Sequence, residues 1–219
     1  DQIAADAELI AVAAEFLRSV GVKPDQVKIL INDRRLMDAE LSRIGINSEL
    51  KPAVLRMIDR IDKQAPEMWD KNTLELGISP EQLTALKSLL GNTELWQQSR
   101  ELTTLFADLE ALGVREYTAF EPKIIRGLDY YTGTVFEARD TAGNFRAVLG
   151  GGHYANLVGD VGGRPLPGVG FAMGDVVILL LLESLGLTPA ISSAADAVFV
   201  SVFDESSLQV SNRVAARLR

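Results

Sequence analysis

The stretch Arg126-Gly127-Leu128-Asp129-Tyr130-Tyr131-Thr132-Gly133-Thr134-Val135-Phe136-Glu137 constrains the fold of this chain more than any other. Thr134, Val135 and Phe136 are strong strand formers, so the segment reads as a loop entering a strand of an antiparallel sheet. It opens with Arg126, a permanently charged guanidinium beside a glycine. Such a group holds a phosphate or carboxylate in a fixed fork geometry. In an extended segment Tyr130 and Tyr131 point to opposite faces, one hydroxyl serving a pocket while the other supports the sheet. The plainer reading is an Arg-Gly turn before a strand whose tyrosines are half-buried packing residues.

A chain of 219 residues suffices for one full domain and part of another. With 47% hydrophobic and 24% charged residues it has the makings of a real core. A net charge of −8 argues against a free-standing nucleic-acid binder, because phosphate contacts need a basic face. The absence of cysteine excludes a disulfide framework and a thiolate metal site, and a single histidine excludes a His-cluster site. The longest apolar run, Val176 to Leu182, is far short of the ~20 residues a membrane span requires. No charged-then-apolar leader follows Asp1, so the expected location is cytoplasmic with no membrane partner, and both ends read as cut.

Taken in order, Leu9, Val12, Ala13, Phe16, Leu17 and Val20 recur at helical spacing before Gly21, and Val27 to Asn32 reads as a strand. From Arg34 to Leu112 helical patterns dominate and strand signals vanish. Leu36 to Ile44 and Pro52 to Ile61 read as short helices, and Ser79-Pro80-Glu81-Gln82 as a capping box. One continuous helix is expected from Thr93 to Leu112, ended by Gly113. Arg34-Arg35 reads as a surface pair. Sheet character returns with a strand from Val114 to Phe120, and after the organising stretch Phe145 to Leu149 is expected to pair back in a hairpin. Gly150-Gly151-Gly152 then has two readings of equal weight. Either backbone amides approach a ligand that a Cβ would block, or the strand end needs close packing. His153 reads as a surface or supporting residue, and the sequence assigns no carboxylate to it. The run through Leu182 reads as a firmly buried helix, Ala197 to Val202 as a buried strand, and Leu208 to Leu218 as a helix.

Three segments together resemble the histidyl-tRNA synthetases, class II ligases that join histidine to its tRNA. Arg126 to Glu137 resembles the first histidine-specific signature over twelve consecutive residues. Gly150-Gly151-Gly152-His153-Tyr154-Ala155-Asn156-Leu157-Val158 resembles the second, with His153 where the family usually has arginine and Ala155 where it has aspartate. Gly168-Val169-Gly170-Phe171-Ala172-Met173-Gly174-Asp175-Val176-Val177 resembles motif 3, with Val177 where most members carry an arginine for adenine and the γ-phosphate.

The resemblance implies an α+β fold: a class II synthetase-like antiparallel sheet flanked by helices, an all-helical insertion, and the first β-α unit of an α/β anticodon-binding domain. The expected division is core at 1–33, insertion at 34–113, core at 114–189, linker at 190–195 and anticodon-domain start at 196–219. Motifs 1 and 2 belong ahead of Asp1, so the 219 residues alone are expected to be inactive. By resemblance Arg126 is catalytic, stabilising charge at the α-phosphate where other class II enzymes rely on a metal. Tyr130, Tyr131 and Tyr154, with Gly151 and Gly152, bind histidine; Arg126, Gly170 and Gly174 bind ATP. The implied partners are histidine, ATP with its Mg2+, tRNA(His), and a second copy in a homodimer. A different class of function fits the departures from the family pattern: a catalytically dead, synthetase-like regulatory subunit of histidine biosynthesis. A helical-insert module that only supports a dimer leaves Arg126 and the tyrosines unexplained.

Overall fold

The sheet is built outward from β1 (Val27–Asp33), whose Val27, Ile29 and Ile31 are fully buried. The computed structural model describes residues 2–126, 130–189 and 198–218. Ahead of β1 lies α1 (Gln2–Ser19), with Ala7, Ile10, Ala13, Ala14 and Leu17 buried along one stripe at helical spacing. Gly21, at φ +85°, ends it in the left-handed conformation that a Cβ disfavours, and the Val22 amide closes back on Leu17 O at 3.0 Å.

Asp33 ends β1 and caps the next helix. Its carboxylate accepts from the amides of Arg35 and Leu36 at the start of α2 (Arg34–Arg43). Then follow α3 (Lys51–Ile58), α4 (Pro66–Leu74), α5 (Pro80–Leu90) and α6 (Arg100–Ala111). The capping box at Ser79 forms as expected: the Gln82 amide donates to Ser79 Oγ at 3.2 Å and the Ser79 amide to Gln82 Oε1 at 2.8 Å. The expected continuous helix from Thr93 is broken. A 3₁₀ turn at Leu95–Gln98 stops before Ser99, whose hydroxyl caps α6 by accepting from the Leu102 amide. Serine bonds its neighbouring backbone better at a helix start than in a helix interior. Residues 34–113 contain no strand, and their Met37, Leu41, Trp69, Leu86 and Phe106 share one continuous core with Ile29, Ile31 and Phe136 of the sheet.

The sheet order is β2-β1-β3-β4-β5, with β2 (Thr118–Phe120), β3 (Thr134–Asp140), β4 (Leu149–Tyr154) and β5 (Gly168–Met173). Three pairings are antiparallel, but β2 runs parallel to β1. Parallel neighbours need a crossover of a dozen or more residues, and the helices from α2 to α6 supply it. The expected strand from Val114 is mostly a 3₁₀ turn (Arg115–Tyr117) ahead of the short β2. The hairpin after β3 forms, but its returning strand starts only at Leu149. Asp140 accepts from the amides of Asn144 and Phe145, so Phe145 stays in the turn and the glycine triplet lies within the strand. A single turn, α7 (Leu157–Asp160), leads to β5 and then α8 (Asp175–Ser184). Only Ile178, Leu181 and Leu182 of α8 are buried; Val176, Leu179 and Leu180 are exposed, so the expected full burial does not hold.

Residues 1–187 form one compact unit and residues 188–219 a second. In the second, Asp204 caps a 3₁₀ turn (Glu205–Ser207) that runs into α9 (Leu208–Leu218), the helix the sequence indicated. The strand expected from Ala197, a residue outside the described set, does not form over residues 198–202. Phe199 and Phe203 are 91% and 93% exposed, and no strand is present among the described residues of this unit. Among the described residues no helix is long and apolar enough to cross a membrane.

Candidate active site

Strand pleating sorts the sheet into two faces. The register pairs Leu30 with Glu137, Asn32 with Val135, Val135 with Gly152, Glu137 with Gly150, Gly152 with Gly170, and Tyr154 with Gly168. These residues share the face turned away from α1. A separate apolar cluster of Ile124, Tyr131 and Val135, with Leu30, Tyr130 and Tyr154 against it, floors this face.

Arg126 enters from its edge. Its φ of +58° is the left-handed conformation that non-glycine residues rarely adopt, and it is unique among the described non-glycine residues. Strain of this kind persists where the surroundings over-determine it, and it clusters at functional sites. Here Nη1 donates to Glu137 Oε2 at 2.7 Å, with both side chains largely sheltered. The guanidinium lies against Gly150: a Cβ there would meet Nη1 at 2.0 Å and Cζ at 2.4 Å. Glu137 is held in turn by Arg139, whose Nε donates to Oε1 at 2.6 Å. Arg139 Nη1 reaches Asp62 Oδ2 at 3.1 Å. A line of alternating charge thus runs from the helical span to Arg126.

The three tyrosines stand beside it. The Tyr130 and Tyr131 ring centroids are 4.6 Å apart, and Tyr154 meets Tyr130 edge-on at 6.2 Å. The two adjacent tyrosines therefore share one face instead of dividing between two. The strand begins only at Thr134, and Tyr130 lies in a turn, so the alternation of an extended chain does not apply to it. Tyr131 packs on Gly152, where a Cβ would lie 2.8 Å from its ring, and Tyr154 covers Gly168. The two readings of the glycine triplet are both realised. Gly150 and Gly152 admit site side chains. Gly151 faces the core, where a Cβ would meet Gly170 O at 2.2 Å and Phe171 Cβ at 2.6 Å. Gly170 lies beside the Tyr154 hydroxyl, whereas Gly174 sits at the opposite end of β5, bonded to Val148 O at the start of α8. Residues 127–129 of the organising stretch lie outside the described set.

Burial, reinforced by the neighbouring Tyr130, pushes the Tyr131 hydroxyl up to about 12, with Arg126 opposing the rise. Tyr131 therefore keeps its proton throughout the neutral range and acts as a neutral hydrogen-bonding group. Because the folded-state value lies above the ordinary one, the unfolded chain loses this proton first. Native stability is unaffected below pH of about 10 and declines as pH climbs towards about 12. Alkaline titration of phenolate absorbance should show a late step near pH of about 12, and Tyr131→Phe should remove it.

Glu137, Arg139, Asp62 and Gly150 were not marked as site residues by the sequence, which does not show the pairing of Glu137 with Gly150. Of the two readings of His153, the surface one does not hold. It is buried on the reverse face, with Nδ1 2.9 Å from Asp6 Oδ1 of α1. Burial raises the Asp6 carboxyl above its ordinary range, while bonds from Thr134 and His153 pull it back. Arg35 is no isolated surface cation: it pairs with Asp33 at 2.9 Å and lines a cleft of about 270 Å³ with Asp6, Glu101 and His153.

The profile of the histidyl-tRNA synthetase family matches residues 1–175. The chain is 35% identical to a histidine–tRNA ligase of Opitutus terrae over 208 residues, 88% of this chain and 48% of that protein. It is 31% identical to a chloroplastic/mitochondrial histidine–tRNA ligase of Arabidopsis thaliana, over 100% of this chain and 47% of that protein. The chain thus spans about half the length of the curated relatives it matches. The structure superposes on a histidyl-tRNA synthetase from Nostoc sp. PCC 7120 with a TM-score of 0.76 at 24% identity, covering 99% of this chain and 56% of that one. That likeness carries the α+β fold. A match across four-fifths of the chain, with Arg126 and three tyrosines gathered on one sheet face, makes this chain a member of the histidyl-tRNA synthetase family.

Proposed function

We propose that the whole protein carrying this chain is a histidine–tRNA ligase. It joins histidine to ATP as histidyl-adenylate and passes the histidyl group to tRNA(His). The observation that carries this reading is the position of Arg126, held by Glu137 over Gly150 on the face that bears Tyr130, Tyr131 and Tyr154. In the first step a carboxylate oxygen of histidine attacks the α-phosphorus of ATP. The bond to the bridging oxygen breaks, and pyrophosphate leaves with the electron pair. Negative charge accumulates at the α-phosphoryl oxygens only as the attack proceeds. A preorganised cation there favours the transition state over the ground state. Glu137 engages Nη1 of a group with five N–H donors, leaving donors for phosphate oxygens.

The tyrosine hydroxyls serve the substrate imidazole and amino group. Buried hydrogen bonds discriminate sharply, because a wrong side chain leaves polar groups unpaired. Gly170 lies at this pocket beside Tyr154, and Gly174 opens the helix assigned to the nucleotide side. Mg2+ would enter on the ATP phosphates. The whole protein should exchange labelled pyrophosphate into ATP when given histidine and not when given another amino acid. Histidine binding with no exchange would sink the ligase reading and favour a regulatory role.

A further inference from the structure

His153 belongs to the reverse of the sheet, yet its backbone reaches the tyrosine loop. Its side chain is buried, with Nδ1 2.9 Å from Asp6 Oδ1, and Asp6 is itself 2% exposed on α1. Asp6 also bonds the Thr134 side chain, so one carboxylate ties α1 to both β3 and β4. The His153 carbonyl accepts from the Thr132 amide at 2.9 Å, and the amide of Ala155 donates to Thr132 Oγ1 at 2.9 Å. The loop bearing Tyr130 and Tyr131 is therefore laced to residues 153 and 155 of the chain. Gly152, immediately before His153, is in near contact with the Tyr131 ring, and Tyr154 immediately follows. Around the pair, Gln2, Ile3, Arg35 and Glu101 complete the wall of the 270 Å³ cleft. Arg35 is committed to Asp33.

We infer that His153 and Asp6 form a positioning pair that sets the tyrosine-walled pocket from behind, so that its integrity governs amino-acid binding. This rests on the ligase reading above. With Asp6 ionised its carboxylate only accepts hydrogen bonds, which puts the imidazole proton on Nδ1. Fixing β4 at His153 fixes the carbon of Gly152 against Tyr131 and the base of Tyr154. Arg126 lies further along the strand at Gly150 and is held by its own partner, Glu137. Loosening the pair therefore acts first on the tyrosines, while the Glu137 hold on Arg126 stays in place. A misplacement of about 1 Å in a substrate-positioning site is enough for a large functional loss.

Two measurements test the pair, one independent of catalysis. His153 is the single histidine of the chain, so its ring nitrogens give an unambiguous NMR signal. That signal should report a protonated Nδ1 in the parent chain and change in Asp6→Ala. Among the four tyrosines, Asp6→Ala should shift the ring signals of Tyr130, Tyr131 and Tyr154. Tyr117, bonded to Val22 O beyond the other end of α1, serves as the internal control. In the whole protein, His153→Ala should raise the KM for histidine by about tenfold with kcat held within about twofold. His153→Asn, whose amide nitrogen stands where Nδ1 does, should restore most of the loss. If tyrosine signals stay in place while only the melting temperature falls, the pair is a stability element and the inference fails. It fails equally if kcat drops with KM unchanged. A parent protein that shows no exchange overturns the ligase reading instead, and the tyrosine signals still decide the role of His153.

Discussion

Arg126→Ala is expected to slow histidyl-adenylate formation by roughly two to three powers of ten, the scale of losing one preorganised charge-stabilising donor. The expectation follows from how the residue is held. Its backbone is kept in an unfavourable conformation and its Nη1 is bound to Glu137 at 2.7 Å. Little reorganisation remains when charge appears at the phosphate. Arg126→Lys should rescue only a minor part, because an ammonium cannot reproduce the planar fork or hold Glu137 and a phosphate together. The mutant protein should fold normally, since Arg126 lies outside both hydrophobic clusters.

Gly150→Ala and Gly151→Ala are expected to fail in different ways, although they are adjacent and chemically identical. At Gly150 the atoms nearest the added methyl are the far end of the Arg126 side chain, at 2.0 Å from Nη1. A flexible side chain moves aside, so the variant should fold with a melting temperature close to the parent. Its adenylation rate should drop towards that of Arg126→Ala. At Gly151 the methyl meets Gly170 O at 2.2 Å, Phe171 Cβ at 2.6 Å and Phe136 Cζ at 2.8 Å. Two of these belong to the paired strand β5, which cannot withdraw without breaking its ladder with β4. Overpacking of this kind costs roughly 3 kcal/mol. That corresponds to a fall of about 6–12 °C in melting temperature for a chain of this size. Thermal melts and single-turnover rates on the two variants separate the roles. Equal loss of stability in both would contradict the division of the triplet between the two faces.

Much of this was legible in the residues. Arg126, the tyrosines and the glycine triplet stood out by type and spacing, and the helix boundaries at Gly21 and Ser79 followed from cap chemistry. What escaped depended on register. Glu137 looked like an ordinary strand residue until pairing placed it opposite Gly150, under the Arg126 guanidinium. Tyr130 and Tyr131 looked divided between two faces because strand alternation was extended ahead of the true start at Thr134, back to Tyr130. Ser99 sat inside an apolar stripe that reads as one helix, and only its hydroxyl, turned to the Leu102 amide, divides it. The carboxylate partner of His153 lies 147 positions away along the chain, a separation that no local pattern spans. Residues 198–203 carry strand propensity, but no strand among the described residues of that unit is there for them to pair with.

The most direct test of the account is rapid-quench formation of histidyl-adenylate by the whole protein, with histidine titrated for the parent, Arg126→Ala and Tyr131→Phe. The account predicts a split. Arg126→Ala should lose most of its saturated rate with little change in the histidine needed to reach it, and Tyr131→Phe should need more histidine while keeping most of its rate. If Arg126→Ala instead only raised the histidine requirement and kept the saturated rate, Arg126 would be a binding residue, and the catalytic role given to it here would be wrong.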